Sequence, residues 1–296
     1  MRISTATRGA VKKLGEEGGI ALLASAGFDA LDLSIDTYKN EIRDKVWQDI
    51  AARYRSYAER YGVVYNQAHA PFGGGRGDLN TRGNYVTNLA PIIPEALRMA
   101  AAAGVETVVV HPLCFLDTGY QGHEEEHFEA NYKFFSDLIP VARDLGIRVA
   151  IENLWHTSDT TGHIVEAACA NPYSHGELID ALNAPDVITA CLDVGHAALV
   201  GRDPADVIRT LGGKRLGALH VHDVDYKSDL HTLPWLSKLD WNSITKALGE
   251  IGYTGDLTLE ADSFDAKFDG ELLTLASRMM AKVARRLADM IDAARG

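Results

Sequence analysis

Cysteine is scarce in this sequence. Only Cys114, Cys169 and Cys191 occur among the 296 residues, and no two of them form a C-x-x-C pair. Three scattered cysteines exclude the disulfide framework of a small secreted domain. The sequence therefore predicts a protein of a reducing compartment, which we expect to be the cytoplasm.

Long apolar runs are also missing. No run approaches the roughly 20 residues that a helix needs to cross a bilayer. Residues 1–19 lack the apolar core of a signal peptide. We therefore expect no contact with a membrane.

Basic residues are the minority of the charged ones. The chain has 29 Lys and Arg against 41 Asp and Glu, and its formal net charge at pH 7 is −12. Repulsion between this charge and a phosphate backbone disfavours extended nucleic acid as a partner. A small neutral or polar substrate, or a cation, fits the charge better.

Apolar segments of strand or helix length, in contrast, are plentiful. Hydrophobic residues make up 46% of the chain, which is enough for a large core. Short apolar strand patterns alternate with amphipathic helix patterns about eight times. We predict strands at 3–5, 28–34, 63–69, 107–111, 147–152, 187–193, 216–222 and 256–260, and helices at 11–26, 41–61, 85–103, 124–145, 174–182, 204–211, 241–251 and 270–294.

This alternation indicates an α/β fold. Crossovers of helical length place successive strands parallel, and eight strand–helix units close into a barrel. The sequence thus predicts a single (β/α)8 TIM barrel domain over residues 1–296, with a parallel eight-stranded barrel inside and the helices outside. A doubly wound open sheet is the alternative. It is disfavoured because no glycine fingerprint follows the first strand.

Polar side chains stand at the ends of six consecutive predicted strands. In a parallel barrel these ends share one rim, where barrel enzymes carry their chemistry. One further histidine follows the sixth strand by three residues, and another lies on the seventh strand two residues before its end. The residues are His69, His111, Glu152, Asp193, His196, His220, His222 and Glu260.

Carboxylates and imidazoles that converge on one point repel or titrate unless a cation lies between them. Oxygen and nitrogen ligands without thiolate suit Mn²⁺, Mg²⁺, Co²⁺ or Zn²⁺. The rim therefore predicts a divalent metal site. The alternative is a polar rim that holds no metal.

At these residues the chain resembles the xylose isomerase-like TIM barrel superfamily. That superfamily includes sugar isomerases and epimerases of the tagatose 3-epimerase type, inosose dehydratases and endonuclease IV. The resemblance covers most of the chain in the same order. Its segments are 69–72, 110–112, 150–153, 191–196, 219–223 and 259–260.

The epimerase pattern in this superfamily uses one divalent metal, and the resemblance implies Mn²⁺ or Zn²⁺ foremost. The implied reaction is isomerisation or epimerisation of a sugar, sugar phosphate or inosose through a metal-stabilised enediolate, with Glu152 and Glu260 as the proton-transferring catalytic residues. The implied metal ligands are Glu152, Asp193, His222 and Glu260.

Other rim residues are expected to contact the carbohydrate substrate. The resemblance places a substrate contact at His196 and an acidic residue at Asp225. His69 and His111 lie on the rim, and Trp155 either walls the pocket or packs against it. The epimerases also carry an arginine shortly after Asp225, where this chain has Lys227.

Endonuclease IV supplies the main alternative, a multinuclear zinc phosphodiesterase acting on abasic DNA. Its pattern has nine ligands, and this chain offers a candidate for each, including the pair Asp229 and His231. The acidic chain and the lack of Arg and Lys clusters on the rim favour the isomerase instead. A possible second metal would be held by His69, His111, Asp229 or His231.

A dehydratase on the same metal site also stays open, with His196 or His111 as the acid for a leaving hydroxyl. A glycine-rich loop at 73–77, with Arg76 and Arg82 as its basic residues, is either a lid or phosphate cradle or a plain turn. Members of this superfamily often form dimers or tetramers, so we expect a homo-oligomer.

Overall fold

The computed structural model describes residues 1–73, 83, 88–115, 119–158 and 160–295. Arg76, Arg82 and all of the glycine loop except Gly73 lie outside these residues. The strands of the described chain are β1 (Ile3–Thr5), β2 (Ala30–Leu33), β3 (Val64–His69), β4 (Val105–Val110), β5 (Arg148–Glu152), β6 (Trp155–Thr157), β7 (Ile164–Glu166), β8 (Ile188–Asp193), β9 (Leu216–His220) and β10 (Leu257–Leu259).

Parallel strands form the centre of the molecule. Six of them pair in the order β2-β3-β4-β5-β8-β9, and β1 pairs in parallel with β10. Single parallel bridges join the two sheets at both edges, from Ala6 to Asp32 and from Val221 to Leu259. The predicted parallel arrangement is therefore confirmed for these strands.

Helices connect successive strands and cover the sheet. They are α1 (Arg8–Ala26), α2 (Lys39–Arg43), α3 (Gln48–Tyr61), α4 (Ile93–Ala103), α5 (Glu124–Leu145), α6 (Pro172–Leu182), α7 (Val194–Leu199), α8 (Pro204–Leu211), α9 (Trp241–Glu250), α10 (Asp262–Asp265) and α11 (Gly270–Ala294). None of the described helices is both long enough and apolar enough to cross a membrane.

The outer helices form a continuous ring around the strands. Each packs against the next, in the order α1, α3, α4, α5, α6, α8, α9, α11 and back to α1. The strands between them are buried on both faces, as the apolar runs of the sequence indicate. Several helices end at a glycine in the left-handed conformation, such as Gly62 (φ 65°) and Gly146 (φ 66°), where the sequence predicts their ends.

The predicted helix at 41–61 is wrong as a single element. A 3-10 turn at Ile35–Tyr38 leads into α2, and α3 begins only at Gln48. The break lies at Lys45, whose φ is 56°. Ile42 and Trp47 are both buried. In a continuous helix, residues five apart point about 140° away from each other, so both could not face the core.

Four predicted strands, β2, β4, β9 and β10, end one or two residues earlier than expected. β4 ends at Val110 and β9 at His220, so His111 and His222 follow their strands rather than finishing them. Val221 makes only a single bridge to Leu259, and Pro112 has no N–H with which to extend a ladder. The hairpin of β6 and β7 and the short helix α7 are additional elements at the same rim.

Asp223 fastens the long loop that follows β9. Its buried carboxylate accepts hydrogen bonds of 3.0–3.1 Å from the backbone N–H groups of Ser237, Lys238 and Leu239 and from the indole N–H of Trp241. One side chain thereby fixes the return of residues 224–239 onto the barrel. This loop carries Asp229 and His231.

We predict that Asp223→Ala destabilises the fold by at least about 2 kcal/mol, because it leaves four N–H donors beside an apolar methyl group. Asp203→Ala is the control, since it removes an exposed helix cap worth about 1 kcal/mol. Urea unfolding followed by circular dichroism measures both. Equal losses for the two variants would contradict the role of Asp223.

Candidate active site

The polar strand ends meet on one rim of the barrel. His69, Glu152, Asp193 and His220 are the last residues of β3, β5, β8 and β9. Because these strands are parallel, their carboxyl ends lie at the same end of the sheet. His111 and Glu260 come directly after β4 and β10 and join the same cluster.

Glu152 is the centre of this cluster and is 1% exposed. Its Oε2 lies 3.0 Å from His111 Nε2 and 3.4 Å from His69 Nε2, and its Oε1 lies 2.9 Å from His220 Nδ1. Burial alone would raise the pKa of this carboxyl. The charge of His220 and the hydrogen bonds from His111 and His220 outweigh burial and hold the pKa of Glu152 well below its usual value.

Glu260 shares an imidazole with Glu152. Its Oε2 lies 3.1 Å from His220 Nδ1 and 4.0 Å from His231 Nδ1. Burial opposes ionisation here as well, but the charge of His220 lowers the pKa of Glu260. Two carboxylates from different strands therefore face one ring nitrogen.

Asp193 completes this group and also begins the next helix. Its Oδ1 accepts a hydrogen bond of 2.8 Å from the backbone N–H of His196, which caps α7. His222 Nε2 lies 3.0 Å and 3.1 Å from the two carboxylate oxygens. The position before His196 must be glycine, since a Cβ on Gly195 would lie 2.1 Å from His222 Cε1.

A second group of side chains lies beside the first. Asp229 Oδ2 is 3.1 Å from His231 Nε2 and 3.6 Å from His196 Nε2, and its Oδ1 is 3.8 Å from His222 Nε2. The rings of His222 and His231 stack with centroids 4.1 Å apart. This group comes from α7, the residues directly after β9 and the loop that Asp223 anchors.

Several imidazoles of the site hold protons strongly. Burial favours their neutral form, but neighbouring carboxylates outweigh it. Glu152 raises the pKa of His69 to about 9, and Asp193 and Asp229 raise the pKa of His196 to about 10. Asp229 likewise raises the pKa of His231 to about 10. His111 differs, because burial lowers its pKa.

The residues that the sequence predicts as ligands fall into two neighbouring sets. Glu152, Asp193 and Glu260 each have an oxygen within 4.8 Å of the others and of a nitrogen of His220. His222 is grouped by the same distance with His196, Asp229 and His231. A third set joins His69, His111 and Glu152, and a fourth joins His69, His220 and Glu260.

Two predicted contact residues lie at the edge of these sets. The ring of Trp155 stands edge-on to His196, with centroids 6.4 Å apart. Asp225 instead closes a turn of the loop, since its Oδ1 accepts hydrogen bonds from the backbone N–H groups of Lys227 and Ser228. These two hydrogen bonds lower the pKa of Asp225.

Two supports beneath the site are not among the residues predicted from the sequence. Asp32 Oδ2 lies 3.5 Å from His220 Nε2 and accepts a hydrogen bond of 3.0 Å from Gln67 Nε2. Asp32 and Gln67 are polar residues within the buried strands β2 and β3, and this is the sequence signal that could have identified them. A carboxylate behind an imidazole orients the ring and fixes which nitrogen faces the site.

Asn153 is the other missed support. Its Oδ1 accepts a hydrogen bond of 2.8 Å from the backbone N–H of Asp193, and its Nδ2 donates one of 3.0 Å to the carbonyl oxygen of Asp193. Its own carbonyl lies 2.9 Å from His196 Nδ1. Asn153 therefore ties the end of β5 to the end of β8 and positions both Asp193 and His196.

The donor set fits a divalent cation. Several buried polar atoms of the site have no hydrogen-bond partner among the described residues: Glu152 Oε2, His220 Nε2, His222 Nδ1 and Asp229 Oδ1. Carboxylate oxygens and imidazole nitrogens dominate the clusters, and such ligands suit Mn²⁺ or Zn²⁺. The site also contains four carboxylates, those of Glu152, Asp193, Asp229 and Glu260. Without a bound cation, only protonated histidines can balance their negative charge. The site can therefore bind a cation and place two carboxylates beside a substrate.

Comparison with solved structures shows the same fold. The chain superposes on a D-tagatose 3-epimerase-like protein with a TM-score of 0.70 and 21% identity, covering 95% of this chain and 99% of that one. A D-psicose 3-epimerase in the presence of D-fructose gives a TM-score of 0.72 and 16% identity over 100% of both chains. An L-ribulose 3-epimerase gives 0.71 and 17%, covering 99% of this chain and 95% of that one. These likenesses show a TIM-barrel fold.

Two sequence relatives match only part of their own length. The uncharacterized protein y4fM of Sinorhizobium fredii is 27% identical over 208 residues, which is 69% of this chain and 61% of that protein. The uncharacterized protein MJ1311 of Methanocaldococcus jannaschii is 26% identical over 205 residues, 68% of this chain and 66% of that protein. The matched region thus spans less than two thirds of either relative.

The family comparison covers nearly the whole barrel. The sequence profile of the family described as xylose isomerase-like TIM barrel matches residues 20–289. The match includes every residue of the candidate active site, from Asp32 to Glu260. The chain therefore belongs to the xylose isomerase-like TIM barrel family.

Proposed function

We propose that this protein is a divalent-metal-dependent sugar isomerase or epimerase. One observation carries the proposal: two largely buried glutamates, Glu152 and Glu260, reach the same imidazole nitrogen from different strands, at 2.9 Å and 3.1 Å. Two carboxylates beside one reaction space can remove a proton from a carbon and return it. The solved neighbours, whose names are those of sugar 3-epimerases, support a carbohydrate substrate.

The proposed metal ligands are Glu152, Asp193, His222 and Glu260. His222 is preferred to His220 because both nitrogens of His220 lie within 3.5 Å of a carboxylate, whereas among the described residues carboxylates approach His222 only at Nε2. When bound, the metal would polarise two adjacent substrate oxygens and stabilise the negative charge left by the departing proton. His220, held from behind by Asp32, then positions the two glutamates.

The chain's own residues divide the remaining work. Glu152 and Glu260 move the proton between the two faces of the substrate carbon. His196, fixed by Asn153, donates a hydrogen bond to a substrate oxygen, with Trp155 closing the pocket behind it. His69 and His111 line the opposite side of Glu152 and keep it ionised. Asp225 acts on the loop rather than on the substrate.

A multinuclear site is the second candidate. The group of His196, His222, Asp229 and His231 favours it, because a three-histidine, one-carboxylate set is a good zinc site. With the set of His69, His111 and Glu152, it would supply ligands for an endonuclease IV-like enzyme that cleaves phosphodiester bonds of abasic DNA. The acidic charge of −12 weighs against DNA. A dehydratase would use the same metal site with His196 or His111 as acid.

We also infer that the two parallel sheets form one closed eight-stranded barrel and that residues 1–296 make a single domain. The two edge bridges and the closed ring of outer helices support this. We expect a cytoplasmic protein, and a homo-oligomer remains a prediction.

The metal content should be one divalent ion per chain, Mn²⁺ or Zn²⁺, in protein purified without chelator. Elemental analysis measures it. His222→Ala should reduce the occupancy at least about tenfold, whereas His220→Ala should retain most of the metal. Three zinc ions with cleavage of an abasic duplex would instead establish the multinuclear alternative.

Glu152→Gln and Glu260→Gln should each lower kcat on a ketose substrate by at least about 10³-fold while the protein stays folded, because an amide cannot accept the proton. Glu129→Gln, on the exposed face of α5, is the matched control and should be unaffected. A coupled assay over a panel of ketoses and inososes measures the rates. Full activity in both active-site variants would refute the proposed roles.

Metal binding should release protons. At pH 8 the metal-free protein keeps His69, His196 and His231 protonated, since their pKa values are raised to about 9 or 10. Their ion pairs stabilise the fold fully below about pH 6.5 and lose this effect as the pH rises through 9 to 10. A bound cation should take over the role of these protonated histidines, so that the metal-loaded protein does not lose this stability as the pH rises.

Calorimetry of Mn²⁺ binding in two buffers of different ionisation enthalpy measures the released protons, and thermal unfolding from pH 6 to 10 measures the stability. If Mn²⁺ binds without releasing protons and without changing the pH dependence of stability, the proposal that this cluster is a cation site is contradicted.

A further inference from the structure

A second polar cavity lies at the opposite end of the barrel. It has a volume of about 270 Å³. Arg148 at its wall is the first residue of β5, Gly217 is the second residue of β9, and Asp256 directly precedes β10. Glu152 stands four residues further along β5, roughly 13 Å away at the usual rise of a strand. The cavity is therefore separate from the active-site rim.

The acidic residues of this cavity are already paired. Arg2 binds Glu106 through Nη2 at 2.7 Å and binds both oxygens of Asp256 at 2.8–2.9 Å. The two carboxylates are thus held by one guanidinium. Arg148 and Lys214, which also line the cavity, form no ion pair within the described chain. Two cations consequently face this space without a counter-charge of their own.

Arg148 is the more informative of the two. It is half-buried, and its guanidinium makes no hydrogen bond to any described residue. A guanidinium carries five N–H donors, and removing it from water without a partner is unfavourable. The fold nevertheless makes room for it: a Cβ on Gly217 would lie 2.7 Å from Arg148 Nη2 and 2.3 Å from Thr189 Oγ1.

We propose that this cavity binds a phosphate group, either inorganic phosphate or a small phosphate monoester. The planar fork of Arg148 matches two phosphate oxygens, and the ammonium of Lys214 adds a second positive charge. The backbone N–H groups of Lys214 and Gly255 make no hydrogen bond within the described chain, so they are available as further donors. The volume equals roughly nine water molecules, enough for a phosphate and a short substituent.

The test is isothermal titration calorimetry of the metal-loaded protein with inorganic phosphate and, separately, with glycerol 1-phosphate at constant ionic strength. We expect saturable binding that Arg148→Gln weakens at least about tenfold and Lys214→Gln weakens about threefold. Lys282→Gln, an exposed lysine on α11 that does not line the cavity, should change nothing. Tighter binding of the ester identifies a monoester as the ligand, and equal or weaker binding identifies free phosphate.

The active-site variant Glu152→Gln separates this cavity from the rim. It should keep the binding that Arg148→Gln loses. Absence of saturable binding to the wild type up to about 20 mM phosphate, which corresponds to a binding free energy weaker than about −2.3 kcal/mol, would overturn the proposal. Binding that Glu152→Gln abolishes and Arg148→Gln preserves would overturn it equally.

Discussion

The structure depends on how four acidic side chains coexist on one barrel rim. Glu152, Asp193, Asp229 and Glu260 are largely withdrawn from water, and ionised carboxylates there require positive charge between them. In the metal-free protein, protonated imidazoles supply that charge, with His220 shared by two glutamates. A divalent cation would do the same with a single ion. Under the proposed function, metal binding, proton release and stability are therefore linked in this site.

Much of the fold follows from the sequence because its apolar patterns have the length and period of buried strands and amphipathic helices. Helices α8 and α11 match their predicted bounds, since Asp203 precedes the first and Gly270 begins the second. The long helix at 41–61 was wrong because burial of both Ile42 and Trp47 requires a break that periodicity alone does not reveal. Short elements such as α7 depend on a tertiary contact, the cap from Asp193.

The site was predictable to the extent that it follows strand ends. Parallel pairing brings His69, Glu152 and Asp193 together without any knowledge of loops. The support from Asp32 and the grouping of His222 with His231 were not predictable, because they depend on side-chain direction and on the path of a loop. Asp223, which fixes that loop through four hydrogen bonds, is the last residue of the segment 219–223, by which the chain resembles the superfamily. Its role appears only in three dimensions.

The most direct test of the account is the position of the metal. Anomalous difference density, collected at the Mn and Zn edges from crystals of protein purified without chelator, locates the ion without assumptions about activity. The account predicts one strong peak within about 2.3 Å of Glu152, Asp193, His222 and Glu260. A metal-loaded protein with density only between Asp229 and His231, or with none on the rim, would contradict it.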